Sequence, residues 1–361
     1  MNERVGERLA VSGTLEDQAV ASERTVSSAG CVSQPSDPGQ EARWGKEDAK
    51  RQARQVAAHW SSDERQQEGI QWISVTKVAR NVNWRATGSA GMDWLAHSES
   101  FMAHLLKPRV ALSLGCGRGI IERIVRERNI CQFVEGIDMA EGAVEQARQL
   151  AADGGLVGLE YRVADLNEES LPEEKYDVVY AHAVLHHLFA LEHVLEQVRR
   201  TLKPEGVFVL YEYVGPAQMQ FPRKHLELAD NLLRLIPEKY RVYVRADADG
   251  TKDAAPRLAL SQMNAADPSE AIRAPEILPL VASRFEIKHL RYLGGTVLLL
   301  VLNEIAGNFK DEDPAAQSII ESLVYLENML VDSGTLPSYH AYAVCEKADA
   351  ELLTQTRGSG I

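Results

Sequence analysis

Residues 112–122, LSLGCGRGIIE, place Gly115, Gly117 and Gly119 at alternate positions between an apolar run and a helix-like pattern. Glycine tolerates left-handed backbone and bares N–H groups to a ligand that a Cβ would repel, so this spacing reads as a cofactor-cradling turn from strand to helix. Ile120 stands where a dinucleotide-binding GxGxxG turn needs its third glycine, which disfavours NAD. Asp138 and Asp165 each end a β-like run further along. A carboxylate there can accept from ribose hydroxyls or from an adenine amino group, or it can serve as a helix cap or turn residue. The stretch HAVLHHL (182–188) adds His182, His186 and His187, and Glu212 with Tyr213 closes a later apolar run. Imidazole and carboxylate at such an edge can take a proton from an acceptor, and His182 and His186 fall one turn apart if the segment is helical. With no acid at metal-site spacing from these histidines, a metal is not expected.

These residues need elements to bring them together, and from about residue 108 short β-like runs alternate with helical patterns, as in a parallel α/β sheet. RVALSLG (109–115) is the first strand, followed by a helix with Ile120, Ile121, Ile124 and Val125 on one face. FVEGID (133–138) is the second, and its helix puts Ala140, Ala143, Val144, Ala147 and Leu150 in phase before Gly154 and Gly155. LEYRVAD (159–165) and YDVVYAHA (176–183) follow, then a helix from Leu191 to Leu202 that Pro204 and Gly206 stop. VFVLYEYV (207–214), FEIKHLRYL (285–293) and YHAYAVCEK (339–347) complete seven strands. Two long excursions interrupt them, at 215–275 and 294–335. The first holds Asp267-Pro268-Ser269-Glu270, which has the cap, first-turn proline and capping-box glutamate of a helix start; the second holds a helix from Asp313-Pro314 to about 332. The fold class is α/β, a doubly wound, seven-stranded, mostly parallel sheet with helical lid insertions.

Residues 1–43 contain no aromatic side chain and read as a disordered leader; 44–107 reads as a helical cap, 108–349 as the main domain and 350–361 as a flexible tail. All five tryptophans, Trp44, Trp60, Trp72, Trp84 and Trp94, lie in the cap, where they either pin it to the domain or line an acceptor pocket. A net charge of -13 argues against a nucleic-acid partner, and none is expected; no apolar run is long enough for a membrane span. Four scattered cysteines and the lack of a signal peptide fit the cytoplasm. The run TVLLLVL (296–302) reads as lid core, with contact to a lipid-like acceptor or to a second copy in a homodimer as alternatives.

Taken together, ALSLGCGRG, GID, VAD, YDVVYAHAVLHHL and LKPEGVFVLYEYV resemble the class I S-adenosylmethionine-dependent methyltransferases, strongly over 108–215 and more loosely to the last strand. The resemblance implies that Gly115, Gly117 and Gly119 cradle the methionine part of S-adenosyl-L-methionine, Asp138 its ribose, and Asp165 with Leu166 its adenine. His182 would lie by the sulfonium, and strand seven would run antiparallel between five and six. Both excursions, with residues 55–105, would then cover the cofactor crevice. One departure is Ser113, where the family commonly has an acid that helps hold the cofactor's amino group. The expectation is methyl transfer to oxygen, nitrogen or carbon of a small organic or sugar-bearing acceptor, with His182, His186 or Glu212 as base. EYVGPAQMQF (212–221) is similar to bacterial methyltransferases of natural-product and polysaccharide pathways. The alternative is a non-catalytic cofactor-binding regulatory or partner protein.

Overall fold

Seven apolar runs pair into one sheet in the computed structural model, which describes residues 56, 71–244 and 249–348. The expected leader (1–43) and tail (350–361), with Trp44 and Trp60, lie outside the described residues. The strands are β1 (Val110–Leu114), β2 (Phe133–Asp138), β3 (Leu159–Val163), β4 (Tyr176–His182), β5 (Leu202–Tyr213), β6 (Phe285–Gly294) and β7 (His340–Lys347). Their order is β3-β2-β1-β4-β5-β7-β6, with β7 antiparallel to both neighbours and the other pairs parallel. Central strands β1 and β4 are almost wholly buried because helices cover both faces, which is why they read as unbroken apolar runs rather than as alternation.

The helices bounded by described residues are α1 (Thr76–Thr87), α2 (Trp94–Glu99), α3 (Ile120–Glu127), α4 (Glu141–Asp153), α5 (Leu191–Thr201), α6 (Arg223–Leu235), α7 (Leu260–Ala266), α8 (Ile277–Ala282), α9 (Val297–Leu302) and α10 (Pro314–Asp332). Asp313 caps α10 as its sequence predicts, accepting from the N–H groups of Ala315 and Ala316. In α9 every residue is buried, so the apolar run is core. Its N-terminal N–H groups are satisfied by buried Glu327, which accepts from Gly295, Thr296, Val297 and Leu298.

Four expectations need correction. The helix α5 ends at Thr201, ahead of Pro204 and Gly206, but the fifth strand starts at Leu202 rather than at 207, so both residues lie inside β5, where its pairing with β4 shifts between Tyr176 and Val178. Ile120 and Leu150 do not face the sheet but stay exposed, because the inward stripes carry Glu122 and Val125 in α3 and Ala151 in α4. No helix starts at Asp267. Instead Asp267 ends α7 and accepts from the backbone N–H and the hydroxyl of Ser269, while left-handed Ala271 (φ 52°) breaks the chain before α8. Finally, the excursion after β6 does not cover the crevice: α9 and α10 join α1, α6 and Trp72 in the core on the opposite side from α5 and α8.

Candidate active site

Register brings the predicted residues to one edge. Leu114 pairs with Ile137 and Ala181, Asp138 with Val163, and His182 with Tyr211, so the turns after β1, β2, β3 and β4 open side by side at the carboxyl ends of the strands. There they line a cavity of about 940 Å³, large for a small-molecule site. Gly115, Gly117, Asp138, Asp165, Leu166 and His182 all line it.

The glycines have different reasons to be there. All adopt positive φ (59°, 49° and 73° at Gly115, Gly117 and Gly119). A Cβ on Gly115 would stand 2.3 Å from a Val184 methyl, where the turns after β1 and β4 touch, and one on Gly119 would stand 2.5 Å from the Tyr161 hydroxyl. A Cβ on Gly117 would meet nothing within 4 Å, so the space over its backbone is open to a ligand. Gly119 therefore supports the turn from outside the cavity lining, and Gly117 bares it.

Asp138 does both things the sequence left open. Its Oδ2 accepts from Gly117 N–H and its Oδ1 from Ala140 N–H, each at 2.8 Å, and it still lines the cavity. Burial raises its pKa, against the pull of these backbone N–H groups. Asp165 accepts from the backbone N–H and the amide of Asn167, both at 2.9 Å; Asn167 Oδ1 in turn accepts from Phe189 and Ala190 N–H, tying the turn after β3 to the start of α5.

No motif in the sequence marks Glu122. It is 1% exposed, lines the cavity, and neither of its carboxylate oxygens has a hydrogen-bond partner among the described residues. Burial pushes its carboxyl up to about 7, only partly offset by the neighbouring Ser113 hydroxyl. A carboxylate thus stands beside the serine that departs from the family pattern. The available signal was a glutamate three residues before Val125, on the buried stripe of α3.

The histidines do not share a helix. His182 ends β4, Ala183 is left-handed (φ 53°), and only Leu185–His187 forms a single 3-10 turn. His182 stacks on Trp94, with centroids 5.5 Å apart and planes 3° apart, and packs against Tyr211; burial lowers its pKa. Trp94 therefore braces a cavity residue from behind, and Trp72, Trp84 and Trp94 are not among the lining residues. His186 and Glu212, expected as bases, are not among them either. They pair with each other, Nδ1 to Oε2 at 2.8 Å, and Glu212 Oε1 accepts from Val184 and Leu185 N–H, each at 2.8 Å. Burial pushes Glu212 up to about 7 and His186 down to about 4.

His187 faces the cavity instead. Its Nδ1 lies 3.2 Å from Ser269 Oγ, which donates to Asp267 Oδ1 at 2.7 Å, so the excursion after β5 reaches back to the turn after β4. Ser269 and Ile272 of that excursion line the cavity. The acid that spacing did not show near the histidines also comes from there, as Glu270. Among the described residues, His186, His187 and Glu270 have potential ligand atoms all within 4.8 Å of one another.

Residues 112–210 match the methyltransferase domain family. The chain is 31% identical over 139 residues to a ubiquinone biosynthesis O-methyltransferase of Neisseria meningitidis serogroup C, covering 37% of this chain and 55% of that one. It is 27% identical over 188 residues to the 27-O-demethylrifamycin SV methyltransferase of Amycolatopsis mediterranei, covering 49% and 68%. It is 32% identical over 131 residues to a sterol 24-C-methyltransferase of Candida albicans, covering 35% of each. The chain thus spans about half the length of the first of these relatives. The strand order and the glycine turn agree with this match: residues 112–210 carry a methyltransferase domain, in a sheet with the strand order of the class I S-adenosylmethionine-dependent methyltransferase fold.

Proposed function

We propose that this protein binds S-adenosyl-L-methionine in the cavity and transfers its methyl group to a small organic acceptor, sugar-bearing acceptors included. The observation that carries this reading is the cavity itself: open backbone at Gly117, acids at the ends of β2 and β3, and a partnerless carboxylate at Glu122 surround one space. When bound, the cofactor supplies an electrophilic methyl on a sulfonium. The chain's own residues hold and align. Gly117 N–H is already fixed by Asp138, whose remaining lone pairs suit ribose hydroxyls, and Asp165 with Leu166 forms the adenine wall. Glu122 gives a carboxylate for the amino group in place of the acid missing at Ser113.

The acceptor side is formed by His182, His187 and Ser269, with residues 215–275 as the lid. A base is needed only if the accepting atom carries a proton at attack, and His187, oriented by Ser269 and Asp267, is the histidine placed to take it. His186 and Glu212 set the turn from which it projects. Relatives named for ubiquinone biosynthesis, for 27-O-demethylrifamycin SV and for sterol support a small-molecule acceptor and a place in biosynthesis. Buried free thiols at Cys116, Cys131 and Cys345 support the cytoplasm.

Incubation with methyl-labelled S-adenosylmethionine and a metabolite extract of the source cells, followed by mass spectrometry, tests the reading. A labelled product establishes transfer and names the acceptor. Cofactor binding without any labelled product across extracts would favour the non-catalytic alternative.

A further inference from the structure

His186, His187 and Glu270 combine two imidazoles with one carboxylate, brought together only because the segment after β5 folds back over the turn after β4. We propose that these three side chains bind a divalent cation of the first transition series, zinc being the type case, where the lid meets the cavity.

The histidines are already held as metal ligands are held. An imidazole that binds a metal through one nitrogen characteristically gives the other to a carboxylate, which fixes its tautomer and its aim. His186 gives Nδ1 to Glu212 at 2.8 Å, and its Nε2 points toward Glu270 Oε1 at 3.8 Å. His187 has a relayed version, with Nδ1 3.2 Å from Ser269 Oγ, which donates to Asp267 Oδ1 at 2.7 Å. One carboxylate from β5 thus orients the first ring directly, and one from the lid orients the second through a serine hydroxyl.

The donor set selects the ion. Two nitrogens and one oxygen suit zinc and its neighbours, whereas calcium and magnesium favour all-oxygen shells. Bond lengths of about 2.0–2.2 Å require the ligand atoms to draw closer than their present 4.8 Å spread. Glu270 is the most exposed of the three, at 20% against 8% for His186 and 14% for His187. Three protein ligands leave a fourth position open, as in catalytic zinc sites. Since His187 and Ser269 line the cavity, that position faces the acceptor side, and it would suit an acceptor that presents a hydroxyl or carboxylate oxygen. The inference goes beyond the proposed transfer, since with the ion bound His187 would be a ligand in place of a base and the ion would lower the pKa of an acceptor oxygen at the open position; it needs neither cofactor nor acceptor to be tested.

The test uses the full chain stripped with a chelator and titrated with zinc against a chromophoric competitor, and with cobalt followed by absorption. One equivalent should bind, with a rise in melting temperature and a cobalt spectrum of mixed nitrogen and oxygen ligation. Glu270→Gln and His187→Asn should each weaken binding about tenfold or more, while His104→Gln, at an exposed histidine remote from the lid, should leave it unchanged. Should His187→Asn fail to fold, Glu270→Gln decides. Absence of saturable zinc binding at high micromolar metal, or equal binding by wild type and Glu270→Gln, would overturn the proposal. Cofactor binding measured on the same stripped samples reports separately on the proposed function.

Discussion

His186 Nδ1 and Glu212 Oε2 meet at 2.8 Å with both side chains buried, and this contact joins the turn after β4 to the end of β5. Because Glu212 also holds the N–H groups of Val184 and Leu185, one carboxylate shapes the whole loop from which His187 enters the cavity.

Glu212→Ala should therefore act first on stability. It leaves two buried N–H groups and an imidazole without their acceptor, an expected loss of about 3 kcal/mol in urea unfolding. Glu212→Gln, which keeps one acceptor oxygen, should lose less. If Glu212→Ala unfolds at the wild-type midpoint, the carboxylate does not organise the loop.

Glu122 carries a pH signature. Its folded pKa, about 7, lies above the ordinary 4.5. Its protonated form is the one the ligand-free fold favours, so its contribution is fully present below pH 4.5 and is lost as pH rises through about 7. The melting temperature of the ligand-free protein should fall across that window, and Glu122→Gln should flatten this part of the profile. Cofactor binding runs the other way. An ammonium group needs the ionised carboxylate, so affinity should drop by up to about tenfold per pH unit below 7 in wild type and stay level, but weaker, in Glu122→Gln. Calorimetry showing pH-independent affinity in wild type would remove Glu122 from the amino-group site.

The glycines separate turn from ligand. Gly117→Ala meets open space and should cost only the left-handed strain, about 1–2 kcal/mol of stability, while cofactor affinity falls as the new methyl occupies the cavity. Gly119→Ala adds a collision with the Tyr161 hydroxyl and should destabilise more. Thermal melts and cofactor titration of the pair check this; equal loss of affinity with equal loss of stability would mean that Gly117 has no ligand-facing role.

Asp138→Ala should weaken cofactor binding by about 1–3 kcal/mol, through lost ribose contacts and through release of the Gly117 N–H. Isothermal titration at unchanged affinity would dismiss the ribose assignment.

The sequence by itself determined the sheet and the edge that lines the cavity. Strand runs, the three glycines and the acids at positions 138 and 165 are local features, and a parallel sheet with short connections carries strand ends to one edge without further instruction. Only the tertiary structure decided which polar groups meet inside. Glu122 was hidden because a charge on a buried helix stripe reads as an interruption rather than as a partnerless carboxylate aimed at a cavity. Ser269-Glu270 passed for a helix start, since a capping pattern and an Asx turn share the same residue types and differ only in the backbone that follows, here broken at Ala271. The pairing of His187 with Ser269 and of His186 with Glu270 spans more than eighty positions, and no local periodicity encodes a contact made by a returning lid.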